Sequence, residues 1–248
     1  ALVSDLGYTG TVRKIRGKEH TEVTVTVLRD GKELSFTMVR RSFTEETVTY
    51  EINEDKIAYI RITQFKANTG DQFVAAMDAI GKAGARAVIF DVRANPGGYL
   101  SSVITAIDAL APKGETIVSF GDYAKPVVST DERQLKIPAV VLCNGYTASA
   151  GELFTAALRD YAKLSENPLD VTIIGTTTYK KGVMQTTYTL SDQSTVTLTI
   201  SVYNPPSGVN YDGVGITPDV TVENTDDGID RQLAEAYRTL AEKPGVKQ

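Results

Sequence analysis

Three short segments constrain the fold of this chain more than any other part of it. Ala87-Val-Ile-Phe-Asp-Val92, Ala139-Val-Val-Leu-Cys143 and Val171-Thr-Ile-Ile174 are near-continuous apolar runs of strand length. A strand that is apolar on both faces needs cover on both, the condition met by a parallel sheet between layers of helices. The intervening segments supply helices. Residues 69–84 put Phe73, Met77 and Ile80 on one face, with Thr69 or Asp71 near the cap; residues 100–110 and 152–163 follow. A last helix begins near Asp230, with Leu233, Tyr237 and Leu240 as its apolar face, and residues 56–62 read as a further strand. This alternation predicts an α/β core with a largely parallel sheet.

Two regions break the alternation. Residues 22–29 alternate at period two, Asp30-Gly31 is a strong hairpin turn, and residues 33–40 alternate again, so the first forty residues read as a small β-rich piece. Two strands alone are marginal in water, so this piece leans on other structure. Residues 184–203 carry two more β-rich runs around Ser191-Asp-Gln-Ser194, a second hairpin. The expected division is residues 1–42 and a main domain, residues 43–248.

Composition narrows the chemistry. With 26 Lys+Arg against 31 Asp+Glu the formal charge is −5, which removes the electrostatic reason to expect nucleic acid or an anionic membrane as partner. No apolar run approaches the ~18 residues of a membrane span, and the opening Ala1-Leu-Val-Ser-Asp-Leu-Gly7 does not read as a secretory leader. The single cysteine, Cys143, excludes an internal disulfide and a Cys-rich zinc site, and inside an apolar run it reads as a small buried hydrophobe. The single histidine, His20, excludes a His-rich metal centre; between charged neighbours in the β-rich piece it reads as a solvated loop residue. No metal or cofactor is expected.

In open α/β sheets the chemistry collects where strands end and helices begin. Three junctions qualify. Arg93-Ala-Asn-Pro-Gly-Gly98 is either a tight strand-to-helix turn or a loop offering backbone N–H groups to an anion. Asn144-Gly-Tyr-Thr-Ala-Ser-Ala-Gly-Glu152 surrounds Ser149 with small residues; Ser149 is either a nucleophile at a helix N-terminus or an N-cap boxed by Glu152. Thr178-Tyr-Lys-Lys-Gly-Val-Met-Gln185 holds either surface cations or a lysine drawn inward as a base. With His20 remote from the strand ends, a Ser–Lys arrangement is the remaining route to nucleophilic catalysis.

Taken in order, Asp91-Val-Arg-Ala-Asn-Pro-Gly-Gly98, Thr147-Ala-Ser-Ala-Gly-Glu152, Lys181-Gly-Val-Met-Gln185, Asn204-Pro-Pro-Ser-Gly208 and Asp212-Gly-Val-Gly-Ile-Thr-Pro-Asp219 resemble the carboxy-terminal processing peptidases, or tail-specific proteases, from about Val48 to Val220. The resemblance implies a serine endopeptidase on a crotonase/Clp-protease-like core with added β structure. It makes Ser149 the nucleophile, Lys181 the general base and Gln185 the residue that orients the lysine. The amide of Gly97 or Gly98, with that of Ala150, would form the oxyanion hole. It also makes the first forty residues similar to the last third of a PDZ module, which captures peptides by strand addition; its earlier strands are absent here. Protein or peptide substrates, an extracytoplasmic setting and room for a homo-oligomer follow from the same resemblance. The chain departs from the family at Thr147 and Gly151, which replace serines, at Tyr179-Lys180, which replaces Phe-Gly, and in a longer link at residues 162–170, expected to be a surface insertion. The competing reading is a peptide-binding protein of the same fold whose dyad never aligns; a crotonase-type acyl-CoA enzyme would share only the core.

Overall fold

A computed structural model describes residues 2–121, 125–192 and 194–246. The chain separates into two units, Ala1–Glu45 and Glu46–Gln248.

The first unit holds α1 (Val3–Ile15), β1 (Glu22–Arg29) and β2 (Lys32–Val39). The hairpin forms as expected, in a register that pairs Val23 with Met38, Val25 with Phe36 and Val27 with Leu34 on one face. The other face carries Thr24–Thr37 and Thr26–Ser35 hydroxyl pairs at 2.9 and 2.8 Å. Helix α1 is an addition that the sequence reading does not include in the expected β-rich piece. It has no buried residue and is kinked at Gly7 (φ 63°), so it shows no apolar stripe to read. Its C-terminal carbonyls are held from a distance in sequence: Arg40 donates to the carbonyls of Ile15 at 2.7 Å and Lys14 at 3.3 Å, which satisfies groups a helix end leaves open.

The second unit runs β3 (Val48–Ile52), β4 (Ile57–Ile62), α2 (Thr69–Lys82), β5 (Ala87–Asp91), α3 (Leu100–Asp108), β6 (Thr116–Val118), β7 (Val127–Val128), β8 (Ala139–Cys143), α4 (Ala150–Leu164), β9 (Val171–Gly175), β10 (Val183–Thr189), β11 (Thr195–Val202), β12 (Val220–Thr221) and α5 (Arg231–Ala241). Six strands form one sheet in the order β12-β9-β8-β5-β4-β3, parallel except for the β3–β4 pair. Because side chains alternate across a strand, Val88, Phe90, Val141 and Ile173 face α2, α3 and α4, whereas Ala87, Ile89, Val140 and Ile174 face α5. The three apolar runs are therefore buried on both faces. The larger core centres on Phe73, Phe90 and Phe154, whose ring centroids lie 5.6–5.8 Å apart. The β10–β11 hairpin also forms, although Gln193 of its expected turn lies outside the described residues. In the 162–170 link, α4 runs on to Leu164 and Leu169 is buried, while most of the residues between are exposed. Parallel pairing of β4, β5, β8 and β9 brings the loops after β5, β8 and β9 to one end of the sheet.

Candidate active site

Strand β8 delivers the chain into a turn fixed by Thr147. Its hydroxyl accepts from Asn144 N–H at 3.0 Å and donates to the Val92 carbonyl at 2.8 Å. Ala148 N–H then reaches the Asn95 carbonyl at 2.8 Å. These bonds lock the serine loop to the glycine loop after β5. Ser149 follows as the N-cap of α4, with φ 53° and ψ −116°. A non-glycine residue in this left-handed region is strained and persists only where its surroundings over-determine it.

Glu152 supplies that constraint. Its carboxylate is wholly buried and accepts four hydrogen bonds. One oxygen takes Ser149 N–H at 3.0 Å and Lys181 N–H at 2.8 Å; the other takes Lys180 N–H at 2.7 Å and the Thr178 hydroxyl at 2.5 Å. From the sequence Glu152 reads only as a capping-box partner. In the fold it binds the loop after β8 to the loop after β9. The adjacent lysines diverge there: Lys180 is exposed and Lys181 lines the cleft beside Ser149.

The glycine loop is shaped by Asn95, also fully buried. Asn95 donates to the Ile62 carbonyl at 2.9 Å and accepts from Gly97 N–H at 2.8 Å. The Gly97 donor is thus consumed internally. Gly98 N–H and Ala150 N–H have no protein acceptor among the described residues. Neither glycine has room for a side chain. A Cβ at Gly98 (φ 143°) would stand 2.0 Å from the Phe65 carbonyl oxygen, and one at Gly97 (φ 93°) 2.8 Å from Ser149 Cβ.

These loops enclose a cleft of about 250 Å³ that brings together Gly98, Ser149, Ala150, Lys181, Gln185 and Tyr203. Leu100, Val183 and Met184 form its apolar wall. Gln185 is exposed, and its amide makes a long 3.5 Å bond to Thr199 rather than a bond to Lys181. No hydrogen bond joins the Lys181 amine to Ser149 Oγ among the described residues. His20 lies exposed in the N-terminal unit.

Two residues here carry no signal in the sequence. Tyr203 is 4% exposed, and its hydroxyl stands 3.4 Å from Ser149 Oγ and 3.2 Å from the Lys181 carbonyl. Burial raises its pKa above the ordinary phenol value, so it stays a neutral donor. Tyr211 packs edge-on against it, centroids 6.1 Å apart, and donates to the Ser149 carbonyl at 3.4 Å. A larger hollow, about 740 Å³, is lined by Arg61, Arg93, Asn144 and Asp230. Both of its arginines are already paired: Arg93 bridges buried Asp91 at 2.6 Å and Asp230 at 2.7 Å, and Arg61 bridges Asp91 at 2.9 Å.

The family model of peptidase family S41 matches residues 56–222. The chain belongs to peptidase family S41. It is 34% identical over 222 residues to a carboxy-terminal-processing protease of Bartonella bacilliformis, covering 86% of this chain and 49% of that protein. It is likewise 34% identical over 228 residues to the carboxy-terminal processing protease CtpA of Bacillus subtilis, covering 90% and 47%. Among solved structures, the photosystem II D1 C-terminal processing protease superposes with TM-score 0.62 at 26% identity, covering 92% of this chain and 61% of that one. The chain thus spans about half the length of the curated relatives it matches. The match of family and fold bears out the resemblance read from the motifs.

Proposed function

We propose that this chain is the catalytic part of a serine endopeptidase that cleaves protein substrates near exposed or unfolded C-termini. The observation that carries the reading is a strained helix-capping serine in one cleft with a lysine and two free backbone N–H donors. Ser149 Oγ attacks the scissile carbonyl carbon while Lys181 takes its proton. The tetrahedral oxyanion is held by Gly98 N–H and Ala150 N–H, two cleft donors with no protein acceptor among the described residues. Collapse returns the proton from Lys181 to the leaving amine and leaves an acyl ester on Ser149. Water, deprotonated by the same lysine, then attacks the ester; the acyl–Oγ bond breaks, the acid product leaves, and the proton passes from Lys181 to Ser149 Oγ. Gln185 stands four residues beyond Lys181 on the cleft wall, placed to orient the amine once substrate tightens the site, because catalytic hydrogen bonds are often long before substrate binds.

The finer parts of the fold reading belong to the same proposal: a crotonase/Clp-like core and a PDZ-like origin for residues 1–42. So do protein substrates without nucleic acid and an extracytoplasmic setting. Among the described residues, no helix is long and apolar enough to cross a membrane. A second reading, a peptide-binding protein with an idle dyad, draws on the absence of a Lys181–Ser149 hydrogen bond.

The test is fluorophosphonate labelling of Ser149 and cleavage of unfolded casein by wild type, Ser149→Ala and Lys181→Ala across alkaline pH. Activity in wild type alone, rising with pH, supports the peptidase. Casein binding that Ser149→Ala retains, with no cleavage or labelling in wild type, supports the second reading.

A further inference from the structure

We infer that Tyr203 is a catalytic residue of this site, donating a hydrogen bond from its phenolic hydroxyl to Ser149 Oγ as negative charge builds there. The inference rests on the peptidase reading above and adds a group to it. Tyr203 sits in the chain 54 residues after Ser149, just past β11, yet its hydroxyl meets both the nucleophile and the segment that bears the lysine.

A phenol has one proton, and two oxygens compete for it here. Ser149 Oγ is 3.4 Å away and the Lys181 carbonyl 3.2 Å away, both longer than the usual ~2.8 Å of an O–H···O bond. The hydroxyl is therefore held between two acceptors without being committed to either. Its position is fixed by the rest of the residue. The ring is buried against Tyr211, and the Tyr203 carbonyl accepts from Asn210 Nδ2 at 2.8 Å. The same Asn210 amide donates to the Gly182 carbonyl at 2.9 Å, so the tyrosine and the lysine segment share one anchor.

The chemistry follows from the charge on Oγ. In the resting state the serine is neutral and a weak acceptor, and the phenolic proton divides between the two oxygens. As Lys181 removes the serine proton, Oγ becomes alkoxide-like and a much stronger acceptor. The phenolic proton swings fully to it. Once Oγ is an ester oxygen it loses that charge, and the proton returns to the Lys181 carbonyl. No proton is transferred by Tyr203; a hydrogen bond is made stronger in the transition state than in the ground state, which is what accelerates a chemical step.

The experiment compares wild type, Tyr203→Phe and Tyr161→Phe. Tyr161 is a control for a buried hydroxyl remote from the cleft, since it donates to the Thr116 carbonyl. The readouts are the rate constant for fluorophosphonate labelling of Ser149, kcat and KM on a casein-derived peptide, and thermal unfolding. Tyr203→Phe is expected to slow labelling and kcat by about tenfold, the worth of one hydrogen bond to a developing charge, with KM unchanged. Tyr161→Phe is expected to lower the melting temperature and leave labelling unchanged. Labelling of Tyr203→Phe within twofold of wild type would overturn the inference, as would a loss appearing only in KM. No labelling in wild type itself defeats the peptidase reading, and this inference with it.

Discussion

Replacing Glu152 by Gln changes one atom of a buried side chain and separates the clamp from its shape. The carboxylate faces four donors: Ser149 N–H, Lys181 N–H, Lys180 N–H and the Thr178 hydroxyl. A glutamine has one acceptor oxygen and one NH₂ group, so two orientations exist. With nitrogen toward Ser149 and Lys181, two backbone N–H groups face a donor. With nitrogen toward Thr178 and Lys180, the Thr178 hydroxyl can rotate to accept and only Lys180 N–H is opposed. The second orientation wins. What remains is the loss of a charged acceptor for two bonds, one buried N–H left unpaired, and a Thr178 hydroxyl that already accepts from Ile216 N–H at 2.7 Å and loses the acceptor for its own proton, together at least about 3 kcal/mol on the usual values for such groups. In a domain of this size that lowers the melting temperature by about 6–12 °C. Because the strained Ser149 backbone keeps its bond to the oxygen, labelling by a fluorophosphonate should fall but persist. Glu152→Ala removes all four bonds and should abolish labelling. Circular dichroism melts and labelling rates on the three proteins check this. Melting of Glu152→Gln within about 2 °C of wild type would refute the reasoning, since a carboxylate bonded this way cannot be replaced without cost.

Three further expectations follow from the same geometry. Gly98→Ala should lose at least about 100-fold in kcat, the scale of a lost oxyanion donor, and should also melt early, because its Cβ would stand 2.0 Å from the Phe65 carbonyl oxygen; peptide kinetics and melts check both. Burial opposes ionisation of Asp230, but hydrogen bonds from Arg93, Leu233 N–H and Asn224 bring its carboxyl down to about 2 from 3.8. Its folded pKa is depressed, so its stabilisation is present above about pH 4 and lost as pH falls toward 2; acid melts of Asp230→Asn should be flatter than wild type across that window. Burial pushes the Cys143 thiol up to about 12, so iodoacetamide at about pH 8 should modify it only after denaturation, as mass spectrometry of native and unfolded protein would show.

What could be read in advance depended on how local the cause was. Strands β5 and β8 were legible because five consecutive buried positions leave an apolar run that no other element explains. Periodicity starts helix α4 at Glu152, whereas it begins at Ala150, since Ala150 and Gly151 give no periodic signal and the N-cap that defines the start is Ser149. Strands β3 and β12 were missed: β3 has mixed burial and β12 is two residues long. Helix α1 was missed because Arg40 stabilises it from 25 residues away.

The site divides along the same line. Ser149, Lys181 and the two glycines sit at strand ends, so motif and topology together placed them near one another. Which glycine keeps a free N–H was not legible, because the answer is set by the Asn95 side chain, whose carbonyl oxygen takes the Gly97 proton. Tyr203 and Tyr211 were wholly silent, since each meets the serine across more than fifty residues and a tyrosine in a β-rich run has an adequate packing explanation. Glu152 shows the limit most clearly. Its local role as a helix cap was visible and correct, yet three of its four bonds reach the loop after β9. Any substitution that keeps the cap but weakens those three bonds should therefore leave α4 intact while loosening the lysine segment, a separation that local sequence patterns cannot anticipate and that the glutamine variant is built to detect.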